Sequence, residues 1–304
     1  MSPISRRSLL ISSALLPQLL RAVDPSKLKI SITSDEVDAD LDIAVAFLKR
    51  FNLSWVEIRN LSGKYNTSQP VEMIRGARKT LDAAGVRTAI VDTGFFKVRL
   101  PADDAEGRRK LDEQWALLDR AFVRAEILGT DKIRTFAFTH ARGEQPDPAH
   151  YPRIYELVAE SARRAKKRGF RLALENVGGS YVATAEQASK LLAAVQEEAL
   201  GLTWDPNNSA GSGDPEPFPA GFEKLDAARI IHVHLRDYRR IPGGGAEWCG
   251  VGEGEFDHVG QIRALLKAGY KEAFSLETHY KIDGSKAKAS EFSMTALLDR
   301  FRKA

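Results

Sequence analysis

Four side chains with metal-binding chemistry stand at the ends of four consecutive strand-like runs: Glu175, Asp205, His234 and Glu277. Each run is apolar up to the point where the chain would leave a sheet, and then presents a carboxylate or an imidazole. In a closed parallel barrel these strand ends meet at one mouth, so the pattern predicts a divalent metal site. Because thiolate ligands are missing from the set, we expect Mn²⁺, with Mg²⁺, Co²⁺ or Zn²⁺ as alternatives.

Taken singly, each of these residues has an ordinary structural explanation. Glu175 can cap a loop, Asp205 can begin an Asx-turn before Pro206, and Glu277 can pair with a lysine. A lone histidine in an apolar strand, such as His234, is usually a core residue. Together they favour a metal site, since four ionisable groups are costly to bury without a shared partner.

Two histidines in the seventh run, His232 and His234, point to the same side of a strand because side chains alternate with period two. Either can therefore reach the metal. His234 lies nearer the end of the strand, where the mouth opens, and is the predicted ligand. His232 is expected one layer deeper, where it supports the site without binding the ion.

The elements that must position these residues alternate along the chain. Strand-like runs lie near 28–34, 54–59, 86–92, 132–138, 170–176, 200–205, 229–235 and 272–278. Amphipathic stretches at helical spacing lie at 41–52, 71–84, 107–128, 151–168, 185–198, 218–228, 256–268 and 287–303. Eight strands, each followed by a helix, predict a single (β/α)₈ barrel rather than a doubly wound sheet.

The connections before and after the strands differ in length. Glycines that end helices lie shortly before several strands, as at Gly85 and Gly129, which indicates short loops on one face. Longer loops at 61–70, 140–150, 207–217 and 239–255 belong to the opposite face. A barrel builds its active site from that face.

The chain opens with an Arg6-Arg7 pair before a short apolar stretch that ends near Leu20. This pattern resembles a twin-arginine export signal, and the apolar stretch is too short for a membrane span. We therefore expect residues 1–22 to be a signal segment and residues 23–304 to be the catalytic domain. The predicted location is the periplasm or outside the cell, with membrane contact only through an uncleaved leader. The alternative is an extension in which the arginine pair is incidental.

Charge argues against nucleic acid as a partner. Lys plus Arg number 45 against 41 Asp plus Glu, and removing residues 1–22 deletes Arg6, Arg7 and Arg21 and no acid. The mature domain is then nearly neutral and lacks the basic surface that a duplex requires. Cys249 is the only cysteine, which excludes an intrachain disulfide. It is expected to be a loop thiol rather than a nucleophile.

Several motifs together resemble the sugar phosphate isomerase/epimerase family, which has a xylose-isomerase-like barrel. They are the strand-six Asp205, the run His234-Leu-Arg-Asp237, the segment Gly252-Glu-Gly-Glu-Phe-Asp257 and the Ser-Leu-Glu ending at Glu277. The resemblance runs from about Leu28 to the C-terminus. It implies that the quartet of strand ends is the family's metal site, and that Glu175 and Glu277 also act as the acid/base pair on opposite faces of a bound sugar.

The predicted function is accordingly a metal-dependent isomerase or epimerase of a small keto sugar or polyol. Two departures from the family pattern bear on the substrate. Asn208 stands where ketose epimerases tend to carry a histidine, and Arg236 replaces the commoner lysine, offering a bidentate fork. Arg236 can instead form a rim salt bridge, perhaps with Asp237.

Other mouth-facing candidates for substrate contact are Glu57, His140 and Trp204, each of which can equally serve pairing or packing. The same site suits β-elimination on an inosose-like or 3-keto-glycoside substrate, so a metal-dependent lyase is the alternative. A nuclease needs more histidine and aspartate ligands, and non-catalytic sugar binding is less favoured. The family often forms oligomers, so a homo-oligomer is an open expectation.

Overall fold

The computed structural model describes residues 23–141 and 143–304. The expected signal segment, residues 1–22, lies outside this part of the chain, so the fold does not bear on it. In the described ranges no helix combines the length and the apolar character needed to cross a membrane.

Eight parallel strands form the central sheet, as the sequence predicts. They are β1 (Ile30–Ile32), β2 (Trp55–Ile58), β3 (Arg87–Val91), β4 (Lys132–Thr135), β5 (Arg171–Glu175), β6 (Leu200–Trp204), β7 (Ile230–Leu235) and β8 (Phe274–Leu276). Each strand from β2 to β7 pairs with the next along the chain, and β8 pairs with β1. A parallel bridge between Thr33, directly after β1, and Glu57 in β2 brings the two edges together. The expected (β/α)₈ barrel is confirmed.

Helices pack around the barrel and, in the case of the short α6, at its mouth. They are α1 (Leu41–Arg50), α2 (Val71–Ala84), α3 (Ala105–Leu128), α4 (Tyr151–Lys167), α5 (Ala185–Ala194), α6 (Pro206–Gly211), α7 (His258–Lys267) and α8 (Lys286–Lys303). In α2, Ile74, Ala77 and Leu81 are buried at spacings of three and four, which is one face of a helix. The helix ends at Gly85, whose φ of 71° is left-handed and favours glycine.

The helix predicted at 218–228 is wrong. The structure has a π-helical turn at Pro217–Gly221 and 3₁₀ turns at Phe222–Lys224 and Ala227–Arg229. The last of these turns is capped by Asp226, whose side chain accepts a hydrogen bond from Ala228 N and so competes with a continuous helix. The helix of this crossover is instead the short α6, which begins directly after Asp205.

Two small antiparallel hairpins lie in the loops that follow β2 and β7. The first pairs Asn60–Leu61 with Lys64–Tyr65, and the second pairs Asp237–Arg240 with Ala246–Cys249. Asp237 holds the glycine-rich segment after the second hairpin. Its carboxylate accepts backbone hydrogen bonds from Gly252 at 2.8 Å, Gly254 at 3.2 Å and Phe256 at 3.1 Å. Asp237 therefore organises a loop at the mouth and does not pair with Arg236.

At the opposite end of the barrel, Glu272 connects three strands by ion pairs. Its carboxylate lies 3.0 Å from Lys29 Nζ, 3.1 Å from Lys132 Nζ and 3.1 Å from Arg171 Nη2. Burial opposes ionisation, but the surrounding cations lower the pKa of Glu272 to about 2. This network stabilises the barrel and lies far from the mouth.

We predict that Glu272→Gln lowers the free energy of unfolding by roughly 1–3 kcal/mol at neutral pH. Because the folded-state pKa is depressed, the stabilisation is present above the unfolded pKa of about 4.3 and is lost as pH falls towards 2. Urea unfolding of both proteins between pH 7 and pH 3 measures this. The gap between wild type and variant should narrow on acidification. If the difference in unfolding free energy were the same at both pH values, the role of Glu272 would be contradicted. Glu291→Gln is the control: Glu291 lies in an exposed pair with Arg50, so the unfolding free energy of this variant should differ little from that of wild type.

Candidate metal centre and active site

The four strand-end residues come together at the mouth, each from a different strand. Glu175 is the last residue of β5, Asp205 directly follows β6, His234 lies near the end of β7 and Glu277 directly follows β8. Each offers one ligand atom, and these atoms all lie within 4.8 Å of one another. All four side chains are buried. The barrel therefore gathers three carboxylates and one imidazole into a cluster that can hold a metal ion.

His234 presents one ring nitrogen to the carboxylates and the other to Glu57. Its Nδ1 lies 3.4 Å from Glu277 Oε2, 3.5 Å from Glu175 Oε1 and 3.9 Å from Asp205 Oδ2. This nitrogen is buried and has no hydrogen-bond partner. Nε2 lies 3.1 Å from Glu57 Oε1. A ligating histidine is commonly oriented by a carboxylate on its other nitrogen, so the donor set fits a divalent metal bound at Nδ1.

Glu57 was predicted to contact the substrate, but its side chain does not line the cavity above the cluster. It is fully buried in β2, and its Oε2 lies 2.6 Å from His232 Nε2. Thr33 Oγ1 donates to its other oxygen at 3.2 Å. Since both oxygens are engaged, Glu57 positions His234 from below. His232 lies in the deeper layer predicted for it and has no contact with the three carboxylates of the cluster.

Three buried arginines surround the cluster, and Arg236 is the most central. It donates to Asp205 Oδ2 at 2.6 Å, to Glu277 Oε2 at 2.7 Å and to Asn208 Oδ1 at 2.7 Å. Its guanidinium carbon lies 4.5 Å from the centroid of the Trp248 ring. The bidentate fork of an arginine, which a lysine lacks, makes this bridge between two ligand carboxylates possible.

Arg134, in β4, enters from the other side. Its Nη1 lies 2.8 Å from Asp92 Oδ2 and 3.0 Å from Glu175 Oε2. Burial is the largest influence on Asp92 and, together with Glu57, raises its pKa well above the ordinary value. The charge of Arg134 opposes this shift, and Arg134 also lowers the pKa of Glu175.

Arg59, directly after β2, binds the other glutamate. It donates to Glu277 Oε1 at 2.6 Å and to Asp35 Oδ2 at 2.9 Å, and it also contacts Glu36. His279 Nε2 lies 2.8 Å from the same Glu277 oxygen. Both oxygens of Glu277 are thus occupied, since Arg236 holds the second one.

The pKa values follow from these contacts. Burial opposes ionisation of Glu175, but Arg134 and His234 lower its pKa to about 2. Burial raises the pKa of Asp205 to about 6 against the opposing charge of Arg236. Burial also works against charge on His234, yet Glu57 and Glu277 raise its pKa well above the ordinary value. The negative surroundings thus favour positive charge at this ring, either as a proton or as a metal at Nδ1.

Glu175 and Glu277 differ in the number of side chains that hold their carboxylates. Burial opposes ionisation of Glu277, but His279, His234 and Arg236 hold its pKa well below the ordinary value. Glu175 accepts a hydrogen bond from Asn208 at Oε1, and its Oε2 lies 3.0 Å from Arg134 Nη1 without hydrogen-bond geometry. Glu175 therefore has fewer charged partners than Glu277.

A cavity of about 300 Å³ opens over the cluster. Asn208 and Arg236 lie on its wall, where substrate contact was predicted. Trp204 does not, because it is fully buried and donates from Nε1 to Gln261 at 3.1 Å. His140 lies away from this cavity, in a separate pocket near Tyr181.

The sequence reading missed several residues of the site. Asp92 follows the apolar strand β3 in the same way as the four predicted ligands, so the same signal would have found it. Arg134 is a charged residue inside a buried strand, which also marks an internal partner. Lys97 and Tyr65 line the cavity from loops, and no sequence signal singles them out. Cys249 is buried, and burial raises the pKa of its thiol to about 11, which does not suit a nucleophile.

A family model described as the xylose isomerase-like TIM barrel matches residues 45–300. The chain belongs to this family. The match covers most of the barrel and all four strand ends of the cluster, and it confirms the resemblance found in the sequence. A curated relative in Pseudomonas putida, 3-dehydroshikimate dehydratase, is 26% identical over 206 residues, which is 63% of this chain and 31% of the relative. The chain thus spans about a third of that relative's length.

Solved structures of the family share the fold at low sequence identity. The IolI protein with a bound zinc atom is 17% identical with a TM-score of 0.72, covering 91% of this chain and 99% of that one. A Mycobacterium smegmatis family member in complex with magnesium is 19% identical with a TM-score of 0.64, covering 86% and 89%. D-psicose 3-epimerase of Clostridium cellulolyticum, with D-tagatose, is 16% identical with a TM-score of 0.64, covering 91% and 96%.

We predict different metal affinities for variants of the two histidines. His234→Ala removes a ligand and should abolish stoichiometric binding of Mn²⁺. His232→Ala removes only a partner of Glu57 and should weaken binding by roughly 10–100-fold. Isothermal titration with Mn²⁺ measures both, with His150→Ala, a surface histidine on another loop, as the control. Metal loss in His232→Ala with unchanged binding in His234→Ala would reverse the assignment.

Proposed function

We propose that this chain is a divalent-metal-dependent isomerase of a small keto sugar or polyol, with Glu175 as its proton-transferring base. The observation that carries this is the unequal bonding of the two glutamates. Glu277 is held on both oxygens by Arg59, Arg236 and His279, while Glu175 has two such partners, Arg134 and Asn208. A single carboxylate beside a metal centre suits proton transfer next to a carbonyl group.

The ligands of the proposed metal are Glu175, Asp205, Glu277 and Nδ1 of His234. The unpartnered Nδ1 and the three carboxylates around it support this set. A bound divalent ion would polarise the substrate's carbonyl and hydroxyl oxygens, which acidifies the neighbouring C–H bond. Mn²⁺ remains the expected ion, with Mg²⁺, Co²⁺ or Zn²⁺ as alternatives.

Side chains of the protein carry out the remaining steps. Glu175 takes the proton from the carbon beside the carbonyl and returns it to the former carbonyl carbon on the same face. The hydroxyl proton moves from the oxygen that becomes the new carbonyl to the oxygen of the old one, which completes the interconversion of a ketose and an aldose. Arg236 and Asn208 lie on the cavity wall and can bind the substrate's hydroxyl oxygens. Their fixed positions would hold the reacting carbon near Glu175.

Epimerisation is less well supported by this geometry. Inverting a stereocentre requires a proton donor on the opposite face, and Glu277 would have to carry that proton. Arg59, Arg236 and His279 stabilise its ionised form instead. We therefore propose one base, Glu175, in place of the two-glutamate mechanism expected from the family resemblance.

A metal-dependent lyase is the second candidate, and the relative named 3-dehydroshikimate dehydratase favours it. Glu175 would take the same proton from the substrate. The electrons of the broken C–H bond would form a C=C bond, and the C–O bond to the leaving group would break. The proton held by Glu175 then passes to the departing oxygen. If the paired arginines direct export, as we propose, oxidised glycosides outside the cytoplasm become accessible substrates.

We predict that Glu175→Gln slows proton exchange by roughly 10²–10⁴-fold, because it loses the base. Keto sugars and 3-keto glycosides are incubated with Mn²⁺-loaded protein in D₂O, and products are followed by NMR and mass spectrometry. Bound Mn²⁺ is measured in each variant, so that loss of a ligand is separated from loss of the base. Glu247→Gln, an exposed glutamate on the second hairpin, is the control.

Label at one carbon of a ketose–aldose pair supports the isomerase, and release of an aglycone supports the lyase. An inverted configuration at the labelled carbon would contradict the single base. Full exchange by Mn²⁺-loaded Glu175→Gln would remove Glu175 from the mechanism.

A further inference from the structure

Lys97 lines the cavity without a charged partner. It lies on the loop between β3 and α3, and its side chain reaches the wall shared with Tyr65 and Arg134. Its ammonium lies 4.6 Å from the centroid of the Phe136 ring. Among the described residues it makes no ion pair and no hydrogen bond. The ring face holds the ammonium in place but leaves its donors free.

The other cations of the cavity contrast with Lys97. Arg59, Arg134 and Arg236 each contact at least two carboxyl groups at 3.0 Å or less. Their charge is used to balance the buried acids of the protein. Lys97 is therefore the cation of the cavity wall that remains available to a ligand.

The neighbours of Lys97 define what that ligand can be. Burial is the largest influence on the Lys97 ammonium and lowers its pKa, so its charge is incompletely solvated. Tyr65 lines the same cavity and adds a neutral hydroxyl group, whereas the Asn60 amide nitrogen already donates to Asp35 at 2.9 Å. An anionic oxygen at Lys97 would gain a charge-assisted hydrogen bond, while the hydroxyls of a polyol would meet the Tyr65 hydroxyl.

Lys97 offers one unpaired positive charge, which matches a ligand with one negative charge. A carboxylate brings a single charge, whereas a phosphate monoester carries about −1.5 to −2 at pH 7. The second charge of the phosphate would find no unpaired arginine on the described wall of the cavity, because Arg59, Arg134 and Arg236 already contact carboxylates. A carboxylate is therefore the better partner for this site.

We infer that Lys97 binds a carboxylate of the substrate, and that the substrate is a small sugar acid or polyhydroxylated keto acid. This rests on the proposed function for the position of the reacting carbon, but the anion contact itself depends only on Lys97. Lys97 thus determines specificity and takes no part in the proton transfer of Glu175.

The test uses metal-loaded protein and matched ligands that differ only in charge. The panel pairs uronates with their hexoses, aldonates with their alditols, and hexoses with their 6-phosphates. Dissociation constants are measured by titration calorimetry for wild type, Lys97→Gln and Lys97→Arg. Lys64→Gln, an exposed lysine on the first hairpin, is the control. Circular dichroism confirms that each variant is folded.

In wild type, at least one carboxylate should bind about tenfold more tightly than its neutral partner, as expected for one charged hydrogen bond. Lys97→Gln should remove this preference and leave the neutral ligand unchanged, and Lys97→Arg should keep it. The inference is overturned if no carboxylate is preferred in wild type, if the preference survives Lys97→Gln, or if the phosphates bind most tightly. Failure of the proposed function would appear elsewhere, as proton exchange that persists in Glu175→Gln.

Discussion

Negative charge buried at the mouth of the barrel is the constraint on which the site depends. Buried carboxyl groups converge there from six points of the chain, and three guanidinium groups lie among them. The carboxyl groups are Glu36, Glu57, Asp92, Glu175, Asp205 and Glu277. Burial of these acids without a matching set of cations is costly, and a divalent cation at Nδ1 of His234 would lower that cost. The electrostatics of the fold and the proposed chemistry are thus joined at the same cluster.

The same ion pairs link the ends of the strands and hold the proposed ligand side chains in position. Arg236 links Asp205 to Glu277 across β6, β7 and β8, and Arg134 links the ends of β3 and β5. Because these side chains are fixed by several partners each, the ligands are already near one another before any substrate binds. The arginines also make Glu175 and Glu277 chemically different, because different arginines contact the two carboxylates.

Much of this could be predicted from the sequence, because the signals are local. An ionisable residue after an apolar run identified the four strand ends, and the alternation of strands and helices gave the barrel. Alternation along β6 also explains Trp204: Asp205 faces the mouth, so its neighbour points towards α7 and packs against Gln261. That orientation was available from period-two geometry.

Other parts depend on three-dimensional context that a sequence pattern does not contain. Lys97 and Tyr65 reach the cavity because of the paths of their loops, and loop conformation is not periodic. Glu57 was recognised as mouth-facing, but its engagement by both His232 and His234 depends on how β2 faces β7 across the barrel. The failed helix at 218–228 shows the reverse case, where a local turn signal, the Asp226 side chain that caps the last turn, outweighs an apolar pattern.

The most direct test of the central claim is the metal content of the purified chain, measured by elemental analysis after preparation without chelators. The account predicts one divalent ion per chain, and a thermal unfolding midpoint that falls when the ion is removed and recovers when Mn²⁺ is restored. A chain that contains no stoichiometric ion and unfolds at the same temperature with or without added divalent salts would contradict it.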